Sequence, residues 1–221
     1  MTITRRLFHA AALAVAVATL SLASSAGRAA TAEDAATFIR ELGNKAIADL
    51  SDQDVPIDTR KKRFRELVDN GFAMDTISRF VLGRYARVAS DAEMREFRDV
   101  FLSVVTARFL PLFEGYTKND FHVDGAKSDP RSDKLFLVNT RVRSPRNGQF
   151  ATAGWRVQNR DGKLQIVDVV AEGVSMAITL RSEYSSAIQQ NGGQVSALIS
   201  RLEKKVEKGA VETTTMGKSD E

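Results

Sequence analysis

Leu135-Phe136-Leu137-Val138-Asn139-Thr140-Arg141-Val142-Arg143 begins as an apolar run and becomes an alternating one. Pro145-Arg146-Asn147-Gly148 follows, then Phe150 to Asn159, then Asp161-Gly162, then Lys163 to Ala171. Period-two alternation marks half-buried strands, and Asn-Gly and Asp-Gly are the residue pairs that tolerate the positive φ of tight hairpin turns. The stretch therefore predicts three consecutive antiparallel strands. Asn119 to Val123 is compatible with a fourth, at the edge.

The chain changes period on both sides of this sheet. Before it, apolar residues recur at helical spacing. Ala32 to about Leu50 presents Phe38, Leu42, Ala46, Ile47 and Leu50, and Asp58 to Asn70 presents Phe64, Leu67 and Val68. A short helix is expected from Met74 to Leu82, with Asp75 as N-cap and Gly83 as terminator. Ser90, with Glu93 three residues on, forms a capping-box pattern at the head of a long helix expected to reach about Tyr116, bent at Pro111. After the sheet, Met176 to Gln190 and Gln194 to about Lys208 read as helices, separated by Asn191-Gly192-Gly193. Helices gathered against an antiparallel sheet of about four strands make an α+β domain over 31–208. The polar tail 209–221 is expected to be disordered.

The first thirty residues read as an address. Arg5 and Arg6 precede an apolar stretch from Leu7 to Leu22 and then Ala23-Ser24-Ser25-Ala26, the order of a cleavable secretory signal. The run is too short and alanine-rich for a membrane span. Thr4-Arg5-Arg6-Leu7-Phe8 also resembles a twin-arginine signal, so both export routes lead to an expected periplasmic location. The net charge is +4; removing Arg5 and Arg6 leaves 4 − 2 = +2. That balance lacks the concentrated basic face of a nucleic-acid binder.

Catalytic sets are scarce. There is no cysteine, and beyond the signal region the only histidine is His122, between Phe121 and Val123. Zinc sites built on cysteine or several histidines, and thiol nucleophiles, are thereby excluded. No glycine-rich phosphate loop or nucleophile elbow occurs. Asp168, between two valines in a strand, is best read as paired with an arginine such as Arg156 or Arg181. No enzyme activity and no cofactor are expected.

What the sequence supplies in quantity is apolar surface. The long helix carries Phe97, Phe101, Val105, Phe109 and Phe113, and the strands carry Phe136, Val138, Trp155, Val157, Ile166 and Val169. Such layers either close-pack or enclose a cavity, and composition favours close packing.

Two segments carry a resemblance. Phe72-Ala73-Met74-Asp75-Thr76-Ile77-Ser78-Arg79-Phe80-Val81-Leu82-Gly83-Arg84-Tyr85 is the first. The second runs from Trp155-Arg156-Val157 through Lys163 to Val170, then Glu172-Gly173-Val174-Ser175-Met176 and Arg181-Ser182-Glu183-Tyr184. In this order, across about Ala32 to Glu207, they resemble the MlaC (toluene-tolerance) family of periplasmic phospholipid-binding proteins. Ala86 departs from the pattern, where an aromatic is expected.

The resemblance implies an apolar cavity between sheet and helices and a carrier of glycerophospholipid. Its implied partners are an outer-membrane lipoprotein/porin complex and the substrate-capturing ring of an inner-membrane ABC transporter, with outer-membrane lipid asymmetry as the result. A sibling branch, HpnM, is associated with hopanoid lipids, and an envelope adaptor with a filled core is the reading from another class. Acyl tails are expected against Phe80, Val81, Tyr85, Phe101, Val105, Phe109, Val138, Trp155, Val157, Val169, Val174 and Met176. Arg84, Arg156 and Arg181 are expected at the mouth, since guanidinium groups bind phosphate bidentately. Pairing with Asp75, Asp168 or Glu183 is the equally supported alternative for those three.

Overall fold

The computed structural model describes residues 30–207. Residues 1–29 of the expected signal peptide, the expected tail, and Lys208 at the end of the last expected helix lie outside the described residues. In chain order the elements are α1 (Ala32–Leu50), α2 (Ile57–Gly71), α3 (Met74–Leu82), α4 (Asp91–Phe109), β1 (Phe121–Asp129), β2 (Ser132–Arg143), β3 (Phe150–Arg160), β4 (Lys163–Ala171), β5 (Val174–Ser175), α5 (Met176–Gln190) and α6 (Val195–Glu207). The strands form one open antiparallel sheet in the order β1-β2-β3-β4-β5. The fold is α+β, as expected, with one more strand than the sequence indicated.

Local chemistry explains the helix ends. Thr31 accepts the Asp34 N–H at 3.2 Å while the Asp34 carboxylate accepts the Thr31 N–H at 2.8 Å, a reciprocal cap on α1. Ser90 and Glu93 do the same for α4 at 3.2 and 2.9 Å. Hydrogen bonds from the Ser90 backbone hold the Glu93 carboxyl below its ordinary pKa. Asp75 does not cap α3: the N-cap is Ala73, and Asp75 lies in the first turn, 3.0 Å from Arg98. A carboxylate there answers the helix dipole and a guanidinium together. Gly83 ends α3 at φ 58°, where a β-carbon is strained. The helix expected to reach Tyr116 stops at Phe109 and tightens into a 3-10 turn over Leu110–Phe113. Pro111 has no N–H to donate and its ring collides with the preceding turn, so the chain changes helix type there.

β1 is longer than the expected edge strand, because the turn joining it to β2 is Asp129-Pro130-Arg131. The Asp129 carboxylate accepts the Arg131 N–H at 3.0 Å and its Nε at 2.8 Å. Irregularities at Val123/Gly125 and Ser128/Asp129 in β1, and between Arg156 and Val157 where β3 meets β4, twist and curve the sheet.

The interior divides in two. One cluster joins Ala35, Ala36 and Ile39 of α1 to Phe136, Val138, Val157 and Ile166 of the sheet. The other is helical and includes Val81, Leu82, Phe97, Leu102, Ile188 and Ile199. At its heart Phe97 stacks on Phe101 at 5.6 Å, and Tyr184 stands edge-on to both. Burial pushes the Tyr184 hydroxyl well above its ordinary pKa. Leu42 and Phe72 pack against both clusters. Phe72 and its neighbour also cover the free edge of β4: the Ala73 N–H donates to the Ile166 carbonyl at 2.9 Å, and Gln165 Nε2 donates to the Phe72 carbonyl at 3.2 Å.

Candidate functional site

Antiparallel register fixes which strand residues share a face. Val138 opposes Trp155, which opposes Val169, and Phe136 opposes Val157, which opposes Ile166. These two rows lie on the face covered by α1. The Phe136–Val157–Ile166 row is fully buried, whereas in the other row Trp155 and Val169 are only half-buried. The polar handle of Trp155 is neutralised within the sheet. Its indole N–H donates to Thr140 Oγ1 at 2.8 Å, and the Thr140 hydroxyl donates to the Ala153 carbonyl at 3.2 Å. The ring thus presents carbon to the apolar cluster beneath α1.

In the helical cluster, Phe101, Val105 and Phe109 stand at i, i+4 and i+8, one stripe of α4. Phe101 is buried; Val105 and Phe109 are half-buried against the helical cluster. Val81 and Tyr85 belong to the same cluster. The residues expected to hold acyl tails therefore fall into two groups, one on each layer. Val138, Trp155, Val157 and Val169 are on the sheet; Val81, Tyr85, Phe101, Val105 and Phe109 are on the helices. Met176 is half-buried at the start of α5, while Phe80 and Val174 lie at the surface. Leu42 and Phe72, which touch both groups, were not singled out from the sequence. The helical stripe that includes Leu42 and the family-like segment that begins at Phe72 were the available signals.

The three expected mouth arginines are not together. Arg156 alternates with Trp155 and so points from the opposite sheet face. There it bonds to Asp168 and lies 3.8 Å from Asp129, so carboxylates hold its guanidinium. Asp168 also accepts the Ser175 hydroxyl at 2.7 Å and the Ala177 N–H at 3.0 Å. The Arg156–Asp168 pair therefore fastens the first turn of α5 to the sheet. Asp129, bonded to Arg131 above all, is held far below the usual carboxylate pKa. Arg84 and Arg181 instead sit beside aromatic rings, Arg84 4.9 Å from the Tyr85 centroid and Arg181 5.0 Å from that of Phe80. Arg84 also donates to the Tyr85 hydroxyl at 2.8 Å. A β-carbon on Gly83 would stand 3.1 Å from Arg181 Nε, which places α5 directly against the end of α3.

Two surface grooves, of about 280 and 370 Å³, meet at Arg98 and Asp75. They are lined mainly by charged and polar groups from α2, α3, α4 and the β3–β4 turn, and neither lies against Trp155 or Val169. No cluster of three metal-ligating side chains occurs among the described residues. No described helix is long and apolar enough to cross a membrane.

The profile of the family described as MlaC protein matches residues 40–204. The chain belongs to the MlaC family. Within that span lie both apolar layers, the Arg156–Asp168 fastening and the α3–α5 contact. This MlaC-family chain is 24% identical over 126 residues to the toluene tolerance protein ttg2D of Pseudomonas putida; the match spans 57% of each chain, just over half the length of that relative. Among solved structures it shares its fold with the phospholipid-binding protein from Ralstonia solanacearum, determined in complex with a phospholipid. The TM-score is 0.68 at 16% identity, over 82% of this chain and 99% of that one.

Proposed function

We propose that this MlaC-family chain is a periplasmic, non-enzymatic phospholipid carrier that holds acyl tails between its sheet and its helices. The observation that carries the reading is the pairing of two apolar surfaces left only half-buried, Trp155 and Val169 beside Val138 on the sheet and Val105 and Phe109 on α4. These are two apolar surfaces in separate packing clusters, so tails between them spread the layers without dissolving either. Keeping an acyl chain in water costs about 0.8 kcal/mol per CH₂, or roughly 13 kcal/mol for a chain of about 16 carbons. A carrier must hide nearly all of that, and an apolar lining without catalytic groups does so. The phospholipid bound by the Ralstonia solanacearum protein of the same fold supports this choice of ligand.

In this reading the chain ferries glycerophospholipid between an outer-membrane lipoprotein/porin complex and an inner-membrane ABC transporter, and so maintains outer-membrane lipid asymmetry. The amino-terminal segment supports the periplasmic address. The test is native mass spectrometry of the mature protein purified from a Gram-negative periplasm, with organic extraction of whatever is bound. A diacyl phospholipid is expected. A hopanoid would move the chain to the sibling branch. A folded protein that carries nothing and takes up no lipid from vesicles overturns the carrier reading and leaves the envelope adaptor.

A further inference from the structure

Phe80, Val174 and Ile178 are large apolar side chains left 39%, 60% and 59% exposed. They form one strip. Val174 leads from the tight Glu172-Gly173 turn into α5, and Ile178 occupies the first turn of that helix. Arg181 lies three residues on, on the same helical face. The Arg181 guanidinium then reaches the ring of Phe80 on α3. Past Gly83, Arg84 continues the strip, and Arg87 beside it is also exposed.

The arginines here form no ion pair among the described residues, and the nearby Glu172 carboxylate is turned to Thr152, accepting from its N–H and hydroxyl at 3.2 and 3.3 Å. The ion pairs formed by arginines among the described residues use Arg98, Arg131, Arg141, Arg146 and Arg156. Arg84 and Arg181 are left to aromatic rings, which orient a guanidinium without neutralising it. No lysine occurs between Arg63 and Thr117, or between Leu164 and Glu203, so every cation of α3, α4 and α5 is an arginine. Arginine engages phosphate bidentately and is less strongly hydrated than lysine. Neither groove at Arg98 includes Phe80, Val174 or Ile178. The strip therefore stands out as protruding apolar side chains flanked by uncompensated guanidinium groups.

We propose that the α3–α5 strip of Phe80, Val174, Ile178, Arg84 and Arg181 is a docking surface for an anionic phospholipid membrane. The apolar side chains enter the headgroup boundary, and the arginines bind lipid phosphates around them. An interfacial surface of this kind draws on buried apolar area together with attraction to anionic lipid. The proposal goes beyond the carrier reading and stands without it, since it concerns the outside of the molecule.

The test is flotation of the mature protein with vesicles of phosphatidylcholine alone, or of equal parts phosphatidylcholine and phosphatidylglycerol, with bound lipid measured on the same samples. Co-flotation with the anionic vesicles only is expected, weakening as salt rises. Arg84→Gln with Arg181→Gln should weaken it roughly thirty-fold, from about 1 kcal/mol per arginine near an anionic surface. Ile178→Ser, at an exposed position, should reduce flotation while the melting temperature and any bound lipid stay unchanged. Wild-type protein that stays unbound from anionic vesicles at low salt overturns the proposal. So does binding that all these variants retain, which would place the contact on another face. If vesicles are ignored while Ile178→Ser abolishes capture by a membrane-protein partner, the strip is a protein interface and the proposal falls. Flotation of a chain that holds no lipid upholds the docking surface while overturning the carrier, and a lipid-loaded chain that never floats does the reverse.

Discussion

The ring of Phe121 lies so close to Gly43 that a β-carbon on the glycine would stand 2.4 Å from it. α1 crosses β1 at that point, and the missing side chain is what lets helix and strand meet. Alanine in the middle of a helix normally gains about 1 kcal/mol over glycine. Here the clash outweighs the gain, so Gly43→Ala should destabilise the fold by about 1–2 kcal/mol. Pairing it with Phe121→Leu should restore most of the loss, as urea midpoints of the two single variants and the double variant will report.

Asp168 should matter more than its position in a valine-rich strand suggests. Asp168→Asn removes the charge facing Arg156 and weakens the bonds to Ser175 and Ala177. A broken, fully buried pair costs about 3–5 kcal/mol, but the Arg156 side chain is 24% exposed, so about 2 kcal/mol is the expected loss. A double-mutant cycle with Arg156→Leu measures the coupling. Hydrogen exchange should accelerate first at Ala177 and Ile178, where α5 is fastened.

Acid and base act through different groups. The carboxyls of Asp129, Glu93 and Asp120 are all held low in the folded chain. Their contribution is complete above the unfolded value near pH 4, and it is lost as pH falls from there toward the folded values. Tyr184 is the opposite case. Its folded pKa is raised, so its contribution is present below about pH 10 and is lost as pH rises beyond that. Melting temperature against pH should fall at both ends. Asp129→Asn should flatten the acid limb, and Tyr184→Phe the alkaline one.

Trp155 is the single tryptophan of the chain, and it stands half-buried on the layer assigned to the acyl tails. Uptake of phospholipid from vesicles should shift its emission to the blue. Val169→Arg, which sets a charge opposite Trp155, should abolish the shift. Thr140→Val deprives the indole N–H of its acceptor and should cost about 1–3 kcal/mol of stability, read from thermal unfolding.

How far the sequence could be read depended on the range of the forces involved. The Asn147-Gly148 and Asp161-Gly162 turns set the three central strands, because turn chemistry is local. The Ser90–Glu93 cap was legible for the same reason. Asp129-Pro130 carried an equally local turn signal, and reading it would have given β1 its full length. Phe80 and Val174 could not be placed, since an apolar residue in a period says which face it shares but not whether another element covers that face. The Arg156–Asp168 pair was anticipated as an alternative, yet its hold on α5 was not, because Ser175 and Ala177 come to it only through a tight turn. Leu42 and Phe72 acquire their bridging role only once two clusters exist to be bridged.

The strict neighbour-to-neighbour order of the strands has a consequence for how the molecule comes into being. Each strand can pair with the one just made, so the sheet assembles through short loops and without long searches. α1 packs on α2, its neighbour in the chain, along one side, but its other side has no such partner nearby. Ala35, Ala36 and Ile39 bury their faces against Phe136, Val138, Val157 and Ile166, all far later in the chain. Because synthesis runs from the amino terminus, α1 emerges long before the sheet, and its side bearing Ala35, Ala36 and Ile39 waits uncovered. That face of α1 can be covered only once β2, β3 and β4 have been made, with Gly43 meeting Phe121 where helix and strand cross.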